Sequence, residues 1–152
     1  MTLYRISKLK YTDHLSGEGS FRVGGRWNSP GTRVVYTSTS RALAMVEMFV
    51  HITHNMIPND LVMLTIELDD SIDIPQVGPQ TLPVGWNDIH DKGTVRTLGD
   101  KFIGEQQYLA ISVPSAVVMG DFNVLINPKH KDFDKVKVKS FDPFFMDERM
   151  FV

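Results

Sequence analysis

The sequence predicts an α+β fold with a mixed or antiparallel sheet. Several short runs are rich in β-branched and aromatic residues, whereas only two stretches have a helical composition. These runs and helices do not alternate in the strand–helix–strand rhythm of a parallel sheet. The 152 residues are enough for one domain with a sizeable core, so we expect a single domain over 1–152.

In the first half of the chain, residues 2–6 predict a short strand. Residues 16–31 are rich in glycine and polar groups and predict a long loop, which inside a compact domain is usually functional. Residues 33–38 form a β-branched and aromatic run, which predicts a buried strand. A helix is then expected over 41–54, and its apolar residues on nearly every face predict a buried helix.

Serine supplies the start signal for that helix, with either Ser38 or Ser40 as the N-cap. Further along, residues 61–68 predict a central strand, and the proline-punctuated stretch 69–93 predicts mostly loop. The remaining predicted elements are a short helix near 94–104 and strands near 108–118, 122–126 and 134–140.

The charge balance argues against direct binding of nucleic acid. The net charge is −2, whereas a protein that grips phosphates usually has a basic surplus. Two local basic runs stand out, Lys129-His130-Lys131 and the trio Lys135, Lys137 and Lys139. The trio alternates with valines, which is typical of the solvent face of an edge strand.

The composition excludes further classes. There is no cysteine, so disulfides, thiolate catalysis and cysteine-ligated metals are ruled out. No apolar run reaches the roughly 18 residues that span a bilayer. The first residues lack the layout of a signal peptide, so we expect a cytoplasmic protein that does not enter a membrane.

Glu47 is the first candidate for chemistry, because it lies within an apolar helical stretch. Burying a carboxylate costs several kcal/mol unless the charge is paired or used. Two interpretations stay open at this point. Glu47 is either a functional carboxylate or half of a structural pair with an arginine or with His51.

The run Gly24-Gly25-Arg26-Trp27-Asn28 is the second candidate. Glycine lets a backbone approach a ligand, and arginine forks onto phosphate or carboxylate. The alternative is a loop whose Trp27 fills the core and whose Arg26 is a surface charge. Tyr36, on the strand that leads to the Glu47 helix, can stack on a planar ligand or simply belong to the core.

Other candidates are weaker. His51 and His54 are three positions apart, but a zinc site needs a third ligand in register, so no metal site is predicted. Ser115 has no base close to it in sequence, so a serine-nucleophile triad is unsupported.

Ordered motifs along the chain resemble the RES-domain family over nearly its whole length. The matching positions are Tyr4-Arg5, Gly24-Gly25-Arg26-Trp27-Asn28, Gly31, Val35-Tyr36-Thr37-Ser38, Ala42-Leu43-Ala44 with Glu47, Leu98-Gly99-Asp100, Val113-Pro114-Ser115-Ala116-Val117, and Asn123-Val124-Leu125-Ile126-Asn127-Pro128 with His130. The arginine, glutamate and serine that give the family its name correspond to Arg26, Glu47 and Ser115. Phe102 stands near a position where the family often has tryptophan, and residues 75–92 match no motif.

The resemblance implies the fold of ADP-ribosyltransferase toxins, a split and mostly antiparallel sheet with a cleft for NAD. It also implies a toxin that destroys NAD by hydrolysis or phosphorolysis, and a partner antitoxin with an Xre-like DNA-binding part that blocks the active site. NAD is then a substrate and no cofactor is expected. The residues leave the oligomeric state open, with a homodimer inside the toxin–antitoxin complex as one arrangement.

The implied site combines catalytic residues with groups that hold NAD. The expected catalytic residues are Arg26, Tyr36, Glu47 and Ser115. The expected NAD-binding residues are Arg5, Gly25, Arg26, Trp27, Tyr36 and Glu47.

Two alternatives are kept. One is a mono-ADP-ribosyltransferase that modifies a protein. Such enzymes often carry a second acidic residue two positions before the catalytic glutamate, where this chain has Met45. The other is a binding module without catalysis. The presence of Arg26, Tyr36 and Glu47 together argues against it, because such a module would be free to lose any of them.

Overall fold

A single six-stranded sheet organises the molecule. The computed structural model describes residues 1–12, 15–91 and 93–151, with the side chain of His54 outside the description. The strands are β1 (Thr2–Lys8), β2 (Val35–Ser38), β3 (Leu61–Leu68), β4 (Ala110–Pro114), β5 (Phe122–Ile126) and β6 (Val136–Pro143), and the helices are α1 (Glu18–Val23), α2 (Arg41–Phe49) and α3 (Arg96–Glu105). The strand order is β4-β5-β2-β1-β3-β6, and each pair of neighbouring strands is antiparallel.

The sheet is split in the middle. Within each half, neighbouring strands pair over long registers, as β1 does with β3 from Thr2 to Lys8. Between the halves, β1 and β2 pair only at Tyr4 and Ser38. The predicted α+β class and the split antiparallel sheet are therefore confirmed.

The two faces of the sheet carry separate cores, as the alternation of side chains along a strand requires. One face buries an aliphatic cluster that includes Leu3, Val35 and Ile126. On the other face, α2 packs over Ile6 and Met63. A third cluster lies on that same face. Residues of α3 and two tryptophans cover the apolar side chains of the sheet there, and the cluster consists of Val34, Ile111, Val113, Leu125, Trp27, Trp86, Val95 and Phe102.

A glycine allows α3 to approach the Gly24–Asn28 loop closely. A Cβ atom built on Gly99 would lie 1.6 Å from the carbonyl oxygen of Trp27. Helix and loop backbones are therefore in direct contact at this point. Only glycine fits there.

The prediction that residues 16–31 are entirely loop is wrong, because α1 occupies Glu18–Val23. Long-range contacts stabilise this short helix in spite of its glycine-rich surroundings. The Ser20 hydroxyl donates to the carbonyl of Val34 at 2.7 Å, and the Arg33 guanidinium bonds to Glu18 and lies 4.4 Å from the ring centre of Phe21.

The prediction of a fully buried helix over 41–54 is also wrong in part. Helix α2 ends at Phe49, and among its described residues only Leu43 and Ala44 are buried. It packs against one face of the sheet, so its other side is at least partly accessible. Of the two predicted N-caps, Ser38 and Ser40, the helix uses Ser40, whose side chain accepts from the N–H of Leu43 at 3.0 Å.

Several strand predictions are confirmed. The boundaries 61–68 and 122–126 match β3 and β5, and β6 is the expected edge strand. The strand expected near 108–118 is shorter, because it ends at Pro114 and leaves Ser115 in the following turn. Among the described helices, none is long and apolar enough to cross a membrane.

Candidate active site

Glu47, on the last turn of α2, is held by two neutral donors. The hydroxyl of Ser115 and the side-chain amide of Asn123 both donate to its Oε1 atom, each at 2.6 Å. These partners come from the turn after β4 and from β5, so three separate segments meet at one carboxylate oxygen.

The alternative in which Glu47 belongs to a structural ion pair finds no support. Within the described ranges, no arginine, lysine or histidine lies within 4.0 Å of its carboxylate. Its second oxygen, Oε2, accepts no hydrogen bond from any described residue. The arrangement therefore presents one fixed and one available carboxylate oxygen.

Ser115 positions Glu47 and is not arranged as a nucleophile. Its hydroxyl oxygen accepts from the N–H groups of Val117 and Val118 at 3.1 and 2.9 Å. A hydroxyl has one proton to donate, and that proton is committed to Glu47. The side chain is only 5% exposed, so the turn fixes its direction.

Asn123 and Ser38 complete this group, which we call the Glu47 cluster: Ser38, Glu47, Ser115 and Asn123. The Ser38 hydroxyl donates to Oδ1 of Asn123 at 2.7 Å, and the two residues face each other across β2 and β5. Neither was predicted as a site residue. Asn123 does begin one of the matched motifs, but nothing in its spacing indicates contact with Glu47.

Tyr36 lies on the same face of β2 as Ser38, because the two are separated by two positions. Its hydroxyl donates to Oδ1 of Asn28 at 2.6 Å and accepts from the N–H of Trp27 at 3.1 Å. A Cβ on Gly25 would lie 2.5 Å from the Tyr36 hydroxyl oxygen. The glycine loop therefore sits directly on the tyrosine.

Burial raises the pKa of the Tyr36 hydroxyl from 10.0 to about 12. In the unfolded chain the hydroxyl ionises first, so this part of the stability is present below pH 10 and is lost as the pH rises through about 12. We expect the free energy of unfolding to fall by roughly 2–3 kcal/mol over that window.

Urea denaturation between about pH 9 and pH 12 should show this loss in the unsubstituted protein, and Tyr36→Phe should lack it. At neutral pH, Tyr36→Phe should be about 1–3 kcal/mol less stable than the unsubstituted protein. Parallel pH profiles for the two proteins would contradict the assignment.

Arg26 reaches the 86–91 segment. Its guanidinium donates to the carbonyls of Trp86 and Asp88 at 2.7 and 3.2 Å and lies 3.6 Å from the carboxylate of Asp91. The guanidinium is therefore occupied by a segment that matches no family motif. A phosphate that used Arg26 would have to replace these contacts.

Two further arginines support the strand and loop around Tyr36. Arg5 donates to the main-chain carbonyl of Tyr36 at 2.8 Å, which bridges the split between β1 and β2. Burial lowers the pKa of its guanidinium, and the nearby Tyr36 opposes that shift. Arg96, which sequence reasoning missed, donates to the carbonyl of Gly25 at 3.0 Å, and nothing in the sequence around it signals this contact.

Trp27 lies in the core, with 3% of its surface exposed and its ring centre 5.8 Å from that of Trp86. This matches the interpretation in which its indole fills the core. The expected contact of Trp27 with NAD stays a prediction.

Five of the expected residues, Gly25, Arg26, Tyr36, Glu47 and Ser115, thus form two neighbouring groups on one face of the sheet. The Glu47 cluster lies where β2 ends and β5 begins, and the loop group, Gly25, Arg26 and Tyr36, lies one step back along β2. Consecutive same-face residues on a strand are about 7 Å apart. A single extended ligand can therefore contact both groups.

A cavity of about 580 Å³ lies elsewhere, along β6, between Thr12, Leu15 and Phe133. None of its lining residues belongs to either group, so this cavity is separate from the candidate site. In the described part of the chain, no three or more His, Asp or Glu residues are arranged to hold a metal ion.

Comparisons with known proteins agree with one another. The RES domain family model matches residues 2–148. A "Toxin Res" from Pseudomonas putida is 39% identical over 153 residues, covering 99% of this chain and 100% of that protein. A "Prs ADP-ribosylating toxin" from Sphingobium sp. is 36% identical over 141 residues, covering 91% and 87%.

Among solved structures, the M. tuberculosis MbcT-MbcA toxin-antitoxin complex contains a chain with a similar fold. The TM-score is 0.77 at 22% identity, and the match covers 94% of this chain and 83% of that one. At this identity the likeness concerns the fold alone.

Proposed function

Since this chain belongs to the RES domain family, we propose that it is the toxin of a toxin–antitoxin pair and that it cleaves the nicotinamide–ribose bond of NAD. The names of its relatives, "Toxin Res" and "Prs ADP-ribosylating toxin", support the coarser part of this proposal. The observation that carries the finer part is the Glu47 carboxylate, with one oxygen fixed and the other available.

Glu47 would act on the ribose. Nicotinamide leaves NAD as a neutral group from a cationic ring, so the reaction needs little acid catalysis. The sugar develops oxocarbenium character in the transition state, as in glycoside cleavage. The available oxygen of this oriented carboxylate, placed near the ribose, would stabilise that charge without reorganisation, and it would also orient the sugar by accepting from its hydroxyls.

The loop group would hold the rest of the dinucleotide. The ring of Tyr36 would lie against nicotinamide, and the main chain at Gly25 would line the same cleft. Arg5 would support this group through its hydrogen bond to the Tyr36 carbonyl, and its expected contact with the diphosphate stays a prediction. Arg26 would bind the diphosphate by exchanging the 86–91 carbonyls and Asp91 for phosphate oxygens.

Arg26→Ala should bind NAD more weakly by roughly 10- to 100-fold, the worth of one charge-assisted contact to an anion. Isothermal calorimetry with NAD measures the change. Arg22→Ala is the matched control, since Arg22 is an exposed arginine on α1 paired with Glu18 and should leave the affinity unchanged. Equal affinities for Arg26→Ala and the unsubstituted protein would remove Arg26 from the binding site.

The acceptor is either water or phosphate. Purified protein is incubated with NAD, with and without phosphate, and the products are separated by chromatography. Free nicotinamide is the expected product, and a requirement for phosphate would identify phosphorolysis. Intact NAD under both conditions would contradict the proposal and leave transfer of ADP-ribose to a protein or the non-catalytic binding module.

Transfer of ADP-ribose to a protein is a second candidate, favoured by the name of the Sphingobium relative. Against it, the residue two positions before Glu47 is Met45, which has no carboxyl group. Met45 packs against the cluster beneath α2 that includes Ile6 and Met63. Labelled NAD in a cell lysate separates the two. Label on a protein indicates transfer, whereas label on free ADP-ribose or its phosphate, with none on protein, indicates NAD cleavage.

We further propose an Xre-like antitoxin as the partner, acting in the cytoplasm and covering the Glu47 face, with a toxin homodimer inside the complex as one arrangement. The support is that the MbcT-MbcA structure is a toxin–antitoxin complex. NAD would be the substrate, and no separate cofactor is required by this chemistry.

A further inference from the structure

Asn123 joins two polar groups on opposite sides of its amide. Its Oδ1 atom accepts from the Ser38 hydroxyl at 2.7 Å, and its Nδ2 atom donates to Oε1 of Glu47 at 2.6 Å. A carboxylate can only accept, so the amide nitrogen must face Glu47 and the amide oxygen must face Ser38. Ser38, only 5% exposed, then has to donate its proton to Asn123.

These bonds form a directed chain from Ser38 through Asn123 to Glu47. The terminal torsion of a glutamate side chain is soft, and its two oxygens exchange easily. Ser115 alone would leave the carboxylate free to pivot about one bond. With Asn123 and Ser115 both donating to Oε1 from different segments, the plane of the carboxylate is fixed and Oε2 has no donor among the described residues.

We propose that Asn123 is a positioning residue, oriented by Ser38, that selects which oxygen of Glu47 faces the ribose of NAD; this inference rests on the proposed NAD cleavage. In this assignment, Asn123 does not touch the substrate. Its loss should therefore slow turnover while leaving ground-state binding nearly unchanged.

The test measures kcat and KM for nicotinamide release by purified variants. Asn123→Ala should lower kcat roughly 10- to 100-fold, the effect of a misplaced reacting group, with KM changed by less than about threefold. Ser38→Ala is the second variant, since it keeps the Asn123 amide but removes the donor that orients it. A smaller fall in kcat is expected from Ser38→Ala.

Thr37→Val is the matched control. Thr37 is 2% exposed, and its hydroxyl donates to the carbonyl of Val124 at 2.7 Å. It thus links β2 to β5, as the Ser38–Asn123 bond does, but from the opposite face of the sheet. Thr37→Val should lose comparable stability and keep the kcat of the unsubstituted protein.

Asn123→Asp supplies a readout that a purely structural role would not give. Among the described side chains, no lysine, arginine or histidine lies within 4.0 Å of the Glu47 carboxylate, so no cation offsets the charge of the introduced carboxyl. While the pair shares one proton, the protonated acid can donate to Oε1 as the amide does. Once both ionise, repulsion displaces Glu47, so kcat of Asn123→Asp should fall between about pH 5 and about pH 9 relative to the unsubstituted protein.

The outcomes separate this inference from the proposal it rests on. If the unsubstituted protein releases no nicotinamide, NAD cleavage fails and the inference falls with it. If that protein is active and Glu47→Gln is not, yet Asn123→Ala keeps full kcat, only the positioning role is overturned. An Asn123→Asp profile parallel to that of the unsubstituted protein would overturn it too.

Discussion

Glu47→Gln should release nicotinamide from NAD on the order of 10²–10³ times more slowly than the unsubstituted protein, the usual cost of removing one preorganised electrostatic group. The structure makes this substitution unusually clean. Ser115 and Asn123 both donate to Oε1, so the oxygen of the introduced amide must take that place to satisfy them. The introduced NH₂ then replaces Oε2, and the change is confined to the atom proposed to face the ribose.

A binding measurement and a control variant complete that test. Affinity for NAD, measured by calorimetry, should change little, because the lost interaction is strongest in the transition state. Glu67→Gln is the control, since Glu67 is a partly exposed carboxylate on β3 paired with Lys139. A Glu47→Gln protein that turned over NAD at the original rate would remove Glu47 from the mechanism.

Gly99→Ala should destabilise the fold by more than about 3 kcal/mol, the upper part of the range for overpacked cores. The added Cβ would lie 1.6 Å from the Trp27 carbonyl oxygen and 2.7 Å from its carbonyl carbon. Both are main-chain atoms, so no rotamer change relieves the contact. Either α3 or the Gly24–Asn28 loop must move.

Gly104→Ala is the matched control on the same helix, because nothing lies within 4 Å of the Cβ it would add. We expect it to stabilise the protein by roughly 0.4–1 kcal/mol, since alanine has less freedom to lose on folding. Urea denaturation gives both values. Similar midpoints for Gly99→Ala and the unsubstituted protein would show that the helix–loop contact is less tight than described.

The elements that sequence reasoning predicted well are those decided by local composition. Leu61–Leu68 and Phe122–Ile126 are runs of strand-forming residues bounded by turn signals. Helix α1 was missed because its support is distant in sequence, from Val34 and Arg33. Helix α2 was predicted too long because its apolar residues do not all face the core.

At the site, motifs pointed to single residues but not to their contacts. Glu47 and Ser115 were singled out, yet the bond between them joins positions 68 residues apart, which no local pattern specifies. Asn123 was overlooked for the same reason, 76 residues from Glu47. The partner of Arg26 was likewise unforeseen, because the 86–91 segment carries no recognisable motif.

The order of the strands along the chain, in which the two halves of the split sheet are interleaved, also determines when the site can form during synthesis. Neither half is continuous in the chain, since β2, β4 and β5 make one half and β1, β3 and β6 the other. A nascent chain that has completed α2 still lacks both donors to Glu47, because Ser115 and Asn123 come much later. Pairing across such separations is slow compared with local folding. The Glu47 carboxylate therefore acquires both of its hydrogen bonds only after β5 has been made.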